Sequence, residues 1–373
     1  MTTAKHPITT TERSTDALAA ALGAWFARQV DADAPVELTV AERSDVGGFS
    51  SASVLFDVTW TANGTMRHGS FVARTAPEAT VMAVFPRYDM AEQFQLIRSV
   101  AELSDVPVPR LHWLEPDAAV LGAPFFVMDR ASGQVPPDNM PYVFAGWVLD
   151  ATPEQRRRLQ EASVEVLAKI HGIANAETHF ASLCPYDPAT ALRQHVDAQH
   201  GYYRWALIED GIRIPIIERA FDWLERHWPS HPGPNVLSWG DARIGNIMYQ
   251  DFEPVAVFDW EMAALGPREL DLGWFIFLHR FFQDLTPLAG LPGLPDFLGR
   301  EDVVRAYEQR SGTTVSDLDF YLVYAALRHA IIMARIKRRM IHFGEDTMPV
   351  DPDDFVLHRA TLEKMLAGTY SWD

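Results

Sequence analysis

The chain is short of cysteine, of basic charge and of long apolar runs, and each shortage excludes a class of function. Cys184 is the one cysteine in 373 residues, so neither an internal disulfide nor a cysteine-built zinc site is available. Lysine and arginine number 32 against 50 aspartates and glutamates, a formal net charge of −18, with the acids spread along the chain rather than massed in a tail. Binding a phosphate backbone needs a basic face, so nucleic acid is not an expected partner. The longest apolar candidate, Ala325 to Met340, is cut by Arg328, His329, Arg335 and Lys337, and no stretch reaches the roughly 20 residues that cross a bilayer. The basic residues of Arg328–Arg339 read as a solvated face on a packed helix. The opening Met1-Thr2-Thr3-Ala4-Lys5-His6 leads into polar residues rather than an apolar signal core, so a cytoplasmic location with no membrane partner is the default expectation. Internal repeats and low-complexity segments are also lacking.

What is present suits a globular protein: 48% hydrophobic and 22% charged residues are ordinary values, and the length allows two lobes. Residues 1–15 are polar and Thr-rich and are expected to form a flexible terminus. Asp16 to Val30 carries Leu18, Leu22, Trp25, Phe26 and Val30 at helical spacing. Strands are expected over Val36–Glu42, Ser53–Thr61 and Met66–Arg74, the last two joined at Asn63-Gly64, a strong hairpin signal. A helix over Asp89–Leu103 precedes Pro107 and Pro109, and Phe125–Met128 reads as a short buried strand. Beyond residue 131 the pattern turns helical. Thr152-Pro153-Glu154-Gln155 is a capping box with proline at the first helical position, and further helices are expected near 188–209, 215–228, 268–284, 300–311, 316–343 and 352–367. Strands first and helices later predict an α+β protein: an N-lobe over 16–130 and a helical C-lobe over 131–373.

One interruption of the helical half carries chemistry. Ile247–Tyr249 and Val255–Phe258 flank the turn cluster Asp251-Phe252-Glu253-Pro254. A hairpin centred between Phe252 and Glu253 would set Asn246 opposite Asp259. An amide carbonyl and a carboxylate are hard oxygen ligands of the kind Mg2+ takes, with phosphates and water completing its shell. Asp241, five residues before Asn246, can orient a hydroxyl and accept its proton, and Arg243 can sit on a transferred phosphoryl group. This is the division of labour in kinases. By itself, Asp-x-x-x-x-Asn is a pattern expected by chance about once in several hundred residues, and a capped turn explains it equally well.

Together with these motifs, Gly47-Gly48-Phe49-Ser50-Ser51, Phe71-Val72-Ala73-Arg74, Ala91-Glu92, Pro107-Val108-Pro109-Arg110, Pro124-Phe125-Phe126-Val127-Met128, Leu167-Ala168-Lys169-Ile170-His171 and Gly266-Pro267-Arg268-Glu269-Leu270-Asp271-Leu272 occur in an order that resembles the aminoglycoside phosphotransferase family. The nearest resemblance is to the branch related to the kinase-like domains fused to acyl-CoA dehydrogenases. The resemblance implies a protein-kinase-like bilobal fold, with a small antiparallel-sheet N-lobe and a larger helical C-lobe, that uses Mg2+ and ATP; it does not distinguish ATP from GTP. It implies that Gly48, Phe49, Ser50 and Ser51 cover the nucleotide phosphates, that Arg74 binds the α- and β-phosphates, and that Glu92 orients Arg74. Backbone groups of Asp129 and Ala131 would bind the adenine edge. Asp241 would be the base, Arg243 the cation on the terminal phosphate, Asn246 and Asp259 the Mg2+ ligands, and Asp271 a buried brace for the loop. His171 reads as a packed core histidine.

Two departures stand out. The family usually carries histidine before Gly-Asp, where this chain has Trp239, and asparagine in the glycine-rich turn, where it has Ser51. Trp239 is expected to support the loop by packing. The acceptor is expected between the catalytic loop and the helices after residue 188, with Tyr202 and Tyr203 as wall residues or as helix-packing aromatics. Glu261 leads a set of carboxylates, with Glu209, Asp210, Asp284 and Asp373, that could meet ammonium groups. The resulting expectation is an O-phosphotransferase acting on an aminoglycoside-type antibiotic or a hydroxyacyl-type metabolite. The alternative is a nucleotide-binding pseudokinase scaffold, for which Trp239 is the supporting feature.

Overall fold

The structure, a computed structural model, describes residues 14–41, 52–77 and 82–372. The glycine-rich turn with Gly48, Phe49, Ser50 and Ser51 lies outside the described residues, as does Asp373. The chain divides into two compact units. One holds Met1–Arg98, Pro109–Ala131 and Arg339–Asp346; the other holds Ser99–Val108, Ser132–Arg338 and Thr347–Asp373.

The first unit is built on a five-stranded antiparallel sheet. Helix α1 (Thr15–Gln29) starts at Ser14, whose hydroxyl accepts from the Ala17 N–H, and buries Leu18, Leu22, Trp25 and Phe26 along one face. Strands β1 (Glu37–Val40), β2 (Ala52–Ala62) and β3 (Thr65–Thr75) follow, then α2 (Met90–Leu103), which this unit holds as far as Arg98, β4 (Leu111–Glu115) and β5 (Phe125–Asp129). The sheet order is β1-β2-β3-β5-β4. Asn63 and Gly64 both take left-handed φ, 51° and 70°, which is what a two-residue hairpin turn of matching twist requires. The α1 stripe packs with Phe56, Phe71, Phe125 and Val127 into one aromatic-rich core, closed at one side by the Trp25 indole donating to Glu115 at 2.7 Å. β4 was not expected from sequence. Its five residues are all half-buried, so the alternation that marks a strand is missing.

The second unit is mostly helical. It contains α3 (Trp147–Asp150), α4 (Pro153–His171), α5 (Ala176–His179), α6 (Ala191–Ala206), α7 (Pro215–Arg226), β6 (Asn235–Ser238), β7 (Ile247–Gln250), β8 (Glu253–Val257), β9 (Ala264–Pro267), α8 (Glu269–Leu285), α9 (Arg300–Ser311), α10 (Leu318–His342) as far as Arg338, and α11 (Arg359–Leu366). The capping box at Thr152 forms: its hydroxyl accepts from Gln155 N–H, and the Gln155 side chain accepts from Thr152 N–H at 2.8 Å. α11 is shorter than expected because Pro352–Phe355 forms a separate 3-10 turn. β6 and β9 pair antiparallel; both are four residues long and β9 ends in Gly-Pro, a signature that reads as a turn from sequence alone.

The basic run on α10 is not a solvated face. Arg328, Arg335 and Arg338 are buried. Arg335 reaches Glu209 at 2.9 Å and lies over the Trp205 ring; Arg338 reaches Asp210 at 2.7 Å and the Ile212 carbonyl at 2.9 Å. Guanidinium groups can be buried this way because a planar fork satisfies several acceptors while its faces stack on aromatic rings. No helix among the described residues is long and apolar enough to cross a membrane.

Candidate active site

β6 ends at Ser238 and delivers the chain into the loop that carries Asp241. Asp271, fully buried in the first turn of α8, holds the start of that loop. Its carboxylate accepts from Trp239 N–H at 2.6 Å, Gly240 N–H at 2.9 Å, the Ser238 hydroxyl at 2.7 Å and His171 Nε2 at 3.0 Å. Burial opposes its charge, but the hydrogen bonds from His171, Gly240 and Ser238 outweigh burial and hold the carboxyl below its ordinary range. His171 is in turn fixed by the Tyr307 hydroxyl at 2.8 Å, the packed role expected for it. Gly240 has φ of +91°, and a Cβ there would collide with the Met262 carbonyl, so only glycine fits the turn into Asp241.

The Asp241 carboxylate is oriented by three donors. Trp274 Nε1 donates to Oδ1 at 2.7 Å, Asn246 Nδ2 to Oδ2 at 2.7 Å, and Arg243 Nε spans the two oxygens at 3.2 and 3.1 Å. Arg243 also donates from Nη1 to Asp138 Oδ2. Burial works against the guanidinium charge, but Asp241 and Asp138 overcome it and raise its pKa further. Beneath the loop, the buried Arg328 donates to the Gly240 carbonyl at 3.1 Å and stacks 4.5 Å from the Trp274 ring centroid. Trp274, Arg328 and Asp138 were not found by sequence reasoning. No spacing rule links them to Asp241, and only their burial beside the loop reveals them.

The β7–β8 hairpin corrects the expected register. Its turn is Asp251-Phe252, both with left-handed φ of 50° and 67°, and an irregularity follows between Met248 and Tyr249. Ile247 pairs with Val257, so Asn246 stands opposite Phe258, whose N–H donates to the Asn246 carbonyl at 2.9 Å. Asp259 is therefore not the cross-strand partner of Asn246. It lies beyond the end of β8 with φ of +59°, where strand alternation no longer dictates side-chain direction. Trp239 fixes this segment: fully buried, it donates its indole N–H to the Phe258 carbonyl at 2.8 Å, immediately before Asp259. Trp239, which precedes Gly240-Asp241, is thus tied to the segment that leads into Asp259.

Among the described residues no three His, Cys, Asp or Glu side chains cluster as a metal site. By chemistry alone, the amide oxygen of Asn246 and the carboxylate of Asp259 are hard donors of the kind Mg2+ takes, an ion that uses one or two protein ligands and completes its shell with phosphates and water. The Asn246 amide donates its nitrogen to the Asp241 carbonyl at 3.0 Å and to the Asp241 carboxylate, which leaves its oxygen as the end not spent on Asp241.

The remaining expected residues fall as follows. Arg74 sits half-buried on β3, paired across the sheet with Phe126. Glu92, in the first turn of α2, lies 3.7 Å from Arg87. The polar residue that α2 turns inward is Gln93, which shares a buried face with Met90, Leu96 and Ile97; one residue along a helix rotates the side chain by about 100°. Asp129 ends β5, with its N–H donating to the Arg110 carbonyl at 2.9 Å and its carboxylate 2.6 Å from His112. Ala131 follows it. Tyr202 and Tyr203 are buried in α6, and the Tyr203 hydroxyl accepts from Ile214 N–H at 2.7 Å. Glu261 is half-buried in the turn after Trp260. Glu209, Asp210 and Asp284 are engaged by Arg335, Arg338 and Arg280 respectively.

A sheet-built unit and a helical unit whose Asp, Asn and Asp motifs flank a short hairpin define the protein-kinase-like class. The model of the APH phosphotransferase enzyme family matches residues 51–308, and the chain belongs to that family. Curated relatives include mouse (Mus musculus) acyl-CoA dehydrogenase family member 10, 26% identical over 72% of this chain and 24% of that protein. Another is the probable acyl-CoA dehydrogenase IBR3 of Arabidopsis thaliana, 24% identical over 73% of this chain and 33% of that protein. The chain thus spans about a quarter to a third of the relatives it matches. Among solved structures, a putative aminoglycoside phosphotransferase from Ralstonia eutropha JMP134 aligns with a TM-score of 0.63 at 21% identity, covering 94% of this chain and 97% of that one. A thermostable mutant of aminoglycoside phosphotransferase APH(4)-Ia, in ternary complex with ADP and hygromycin B, aligns with a TM-score of 0.53 at 14% identity, over 94% of this chain and 99% of that one. These likenesses support the fold.

Proposed function

We propose that the chain transfers the terminal phosphoryl group of Mg·ATP to a hydroxyl of a small molecule, with Asp241 as the base. The observation that carries this reading is the triply oriented Asp241 carboxylate, held by Trp274, Arg243 and Asn246. Donors fixed in this way orient the carboxylate toward an acceptor hydroxyl, whose proton it would receive as that oxygen attacks phosphorus and the long Arg243 contact gives way. Arg243 offers its positive charge to the transferred phosphoryl group. Asn246 and Asp259 would hold Mg2+, which supplies charge neutralisation of the phosphate oxygens when bound. In the sheet-built unit, the turn at Gly48, Phe49, Ser50 and Ser51 covers the phosphates and Arg74 meets the α- and β-phosphates. The N–H groups of Asp129 and Arg130 are already taken by the Arg110 and Ser70 carbonyls, so the adenine edge falls to the Asp129 carbonyl and the Ala131 N–H. The helical unit provides the acceptor site.

The ion pairs of Glu209, Asp210 and Asp284 bear on the acceptor. Polycationic aminoglycosides need several available carboxylates, and these three are committed to arginines. That favours a hydroxyacyl-type or other weakly cationic alcohol, in keeping with relatives named as acyl-CoA dehydrogenases. The second reading, a nucleotide-binding pseudokinase scaffold, draws on Trp239; the Trp239 bond to the Phe258 carbonyl and the presence of Asp241, Asn246 and Asp259 support the transferase reading over it.

The test is to incubate the pure protein with Mg2+ and ATP, or GTP in parallel, and a library of aminoglycosides, macrolides and hydroxyacyl-CoAs, following phosphoryl transfer by mass. Asp241→Asn is expected to abolish transfer while keeping nucleotide binding. Transfer by the variant at the wild-type rate would overturn the assignment.

A further inference from the structure

Arg243 is one cation between two carboxylates. Its Nε spans both oxygens of Asp241 at 3.1 and 3.2 Å, and its Nη1 donates to Asp138. The two anions are not equivalent. Asp241 lies two residues away on the same loop, is 15% exposed, and is held by Trp274 and Asn246 as well. Asp138 arrives from a segment 105 residues earlier and is 38% exposed. Its Oδ1 is buried without a hydrogen-bond partner, and the absence of a side chain at Gly245 is what lets that oxygen and Arg243 approach the loop so closely. A buried carboxylate oxygen without a donor is costly, so of the two pairs the one with Asp138 exchanges most readily.

We infer that Asp138 is a latch on Arg243: it holds the guanidinium in the nucleotide-free chain and yields it to the terminal phosphate of ATP. The inference rests on the proposed phosphotransferase reading and deepens it. A phosphate carries more charge and more acceptor oxygens than a carboxylate, so a guanidinium that can reach both prefers the phosphate. Once replaced, Asp138 can turn its partly exposed carboxylate into water. ADP has no terminal phosphoryl group to make the exchange. Asp138 therefore competes with ATP and not with ADP, and sets the ratio of the two affinities.

Calorimetric titration of the full chain with Mg·ATP and Mg·ADP tests this. Asp138→Asn, which keeps shape and removes charge, is expected to tighten ATP binding about fivefold to tenfold and leave ADP within twofold. Asp138→Ser guards against an effect peculiar to the amide, and thermal melts check that both variants fold. Arg243→Met should bring ATP and ADP to similar affinities and erase the effect of Asp138→Asn in the double variant. The latch is overturned if Asp138→Asn shifts both nucleotides equally, weakens ATP, or acts unchanged in the Arg243→Met background. If the wild type binds neither nucleotide, the phosphotransferase reading itself fails and the latch with it. If the wild type binds ATP and transfers phosphate while Asp138→Asn leaves the ratio unchanged, the latch alone fails.

Discussion

The indole N–H of Trp274 donates to Oδ1 of Asp241 at 2.7 Å, from a ring that is itself buried and capped by the Arg328 guanidinium. A helix residue 33 positions along the chain thereby fixes the direction of the proposed base. Trp274→Phe keeps a ring in place and removes the donor. It is expected to lower the transfer rate about tenfold to a hundredfold while nucleotide affinity stays within about twofold. Steady-state rates with the acceptor found by the mass screen, beside a nucleotide titration, check this.

Asp271 satisfies two backbone N–H groups, the Ser238 hydroxyl and His171 in a fully buried position. Asp271→Ala leaves these donors without partners, and about 3–5 kcal/mol of stability should be lost. Urea unfolding measures the loss. An effect below about 1 kcal/mol would show that the loop start is held by something else.

Arg338 and Asp210 form a largely buried pair at 2.7 Å, with the Ile212 carbonyl as a further acceptor. Removing one partner strands the other charge, so Arg338→Met should cost about 3 kcal/mol. Asp210→Asn in the same chain should recover part of that loss. A double-mutant cycle by chemical unfolding reads the coupling.

Four buried histidines make stability depend on pH. Burial pushes His195 and His279 down to about 3 and His358 down to about 4, and holds His329 well below its ordinary value. The unfolded chain protonates these groups near pH 6.5, whereas the folded chain refuses the protons until much lower pH. Their stabilisation is therefore complete above about pH 6.5 and is lost as pH falls from there toward 4. At about 1.4 kcal/mol per pH unit below 6.5 for each group, going from pH 7.5 to 5.5 should remove roughly 5–6 kcal/mol. Urea midpoints across that range would detect it, and a flat profile would mean the histidines are protonated in the folded chain.

Much of the fold could be read locally. The Asn63-Gly64 turn specifies its hairpin because the φ values it needs suit those two residues, and the Thr152 capping box marks its helix start through contacts three residues apart. The β4, β6 and β9 strands escaped because they are short and lack alternation. The register around Asn246 was misjudged by one because the turn falls at Asp251-Phe252 and an irregularity beside Tyr249 offsets the pairing. The burial of Gln93 on α2 follows from the helix stripe through Met90 and Ile97.

The loop's inventory is local: Asp241, Arg243 and Asn246 lie within six consecutive residues, and any chain placing them in one turn keeps them neighbours. Their surroundings are set by the fold. Trp274 behind Asp241, Asp138 across from Arg243 and Arg328 beneath Gly240 come from distant segments that packing alone brings together. The arginines of α10 carry the same lesson: their charge reads as a solvated face from sequence, and only the folded chain shows them buried against Glu209 and Asp210.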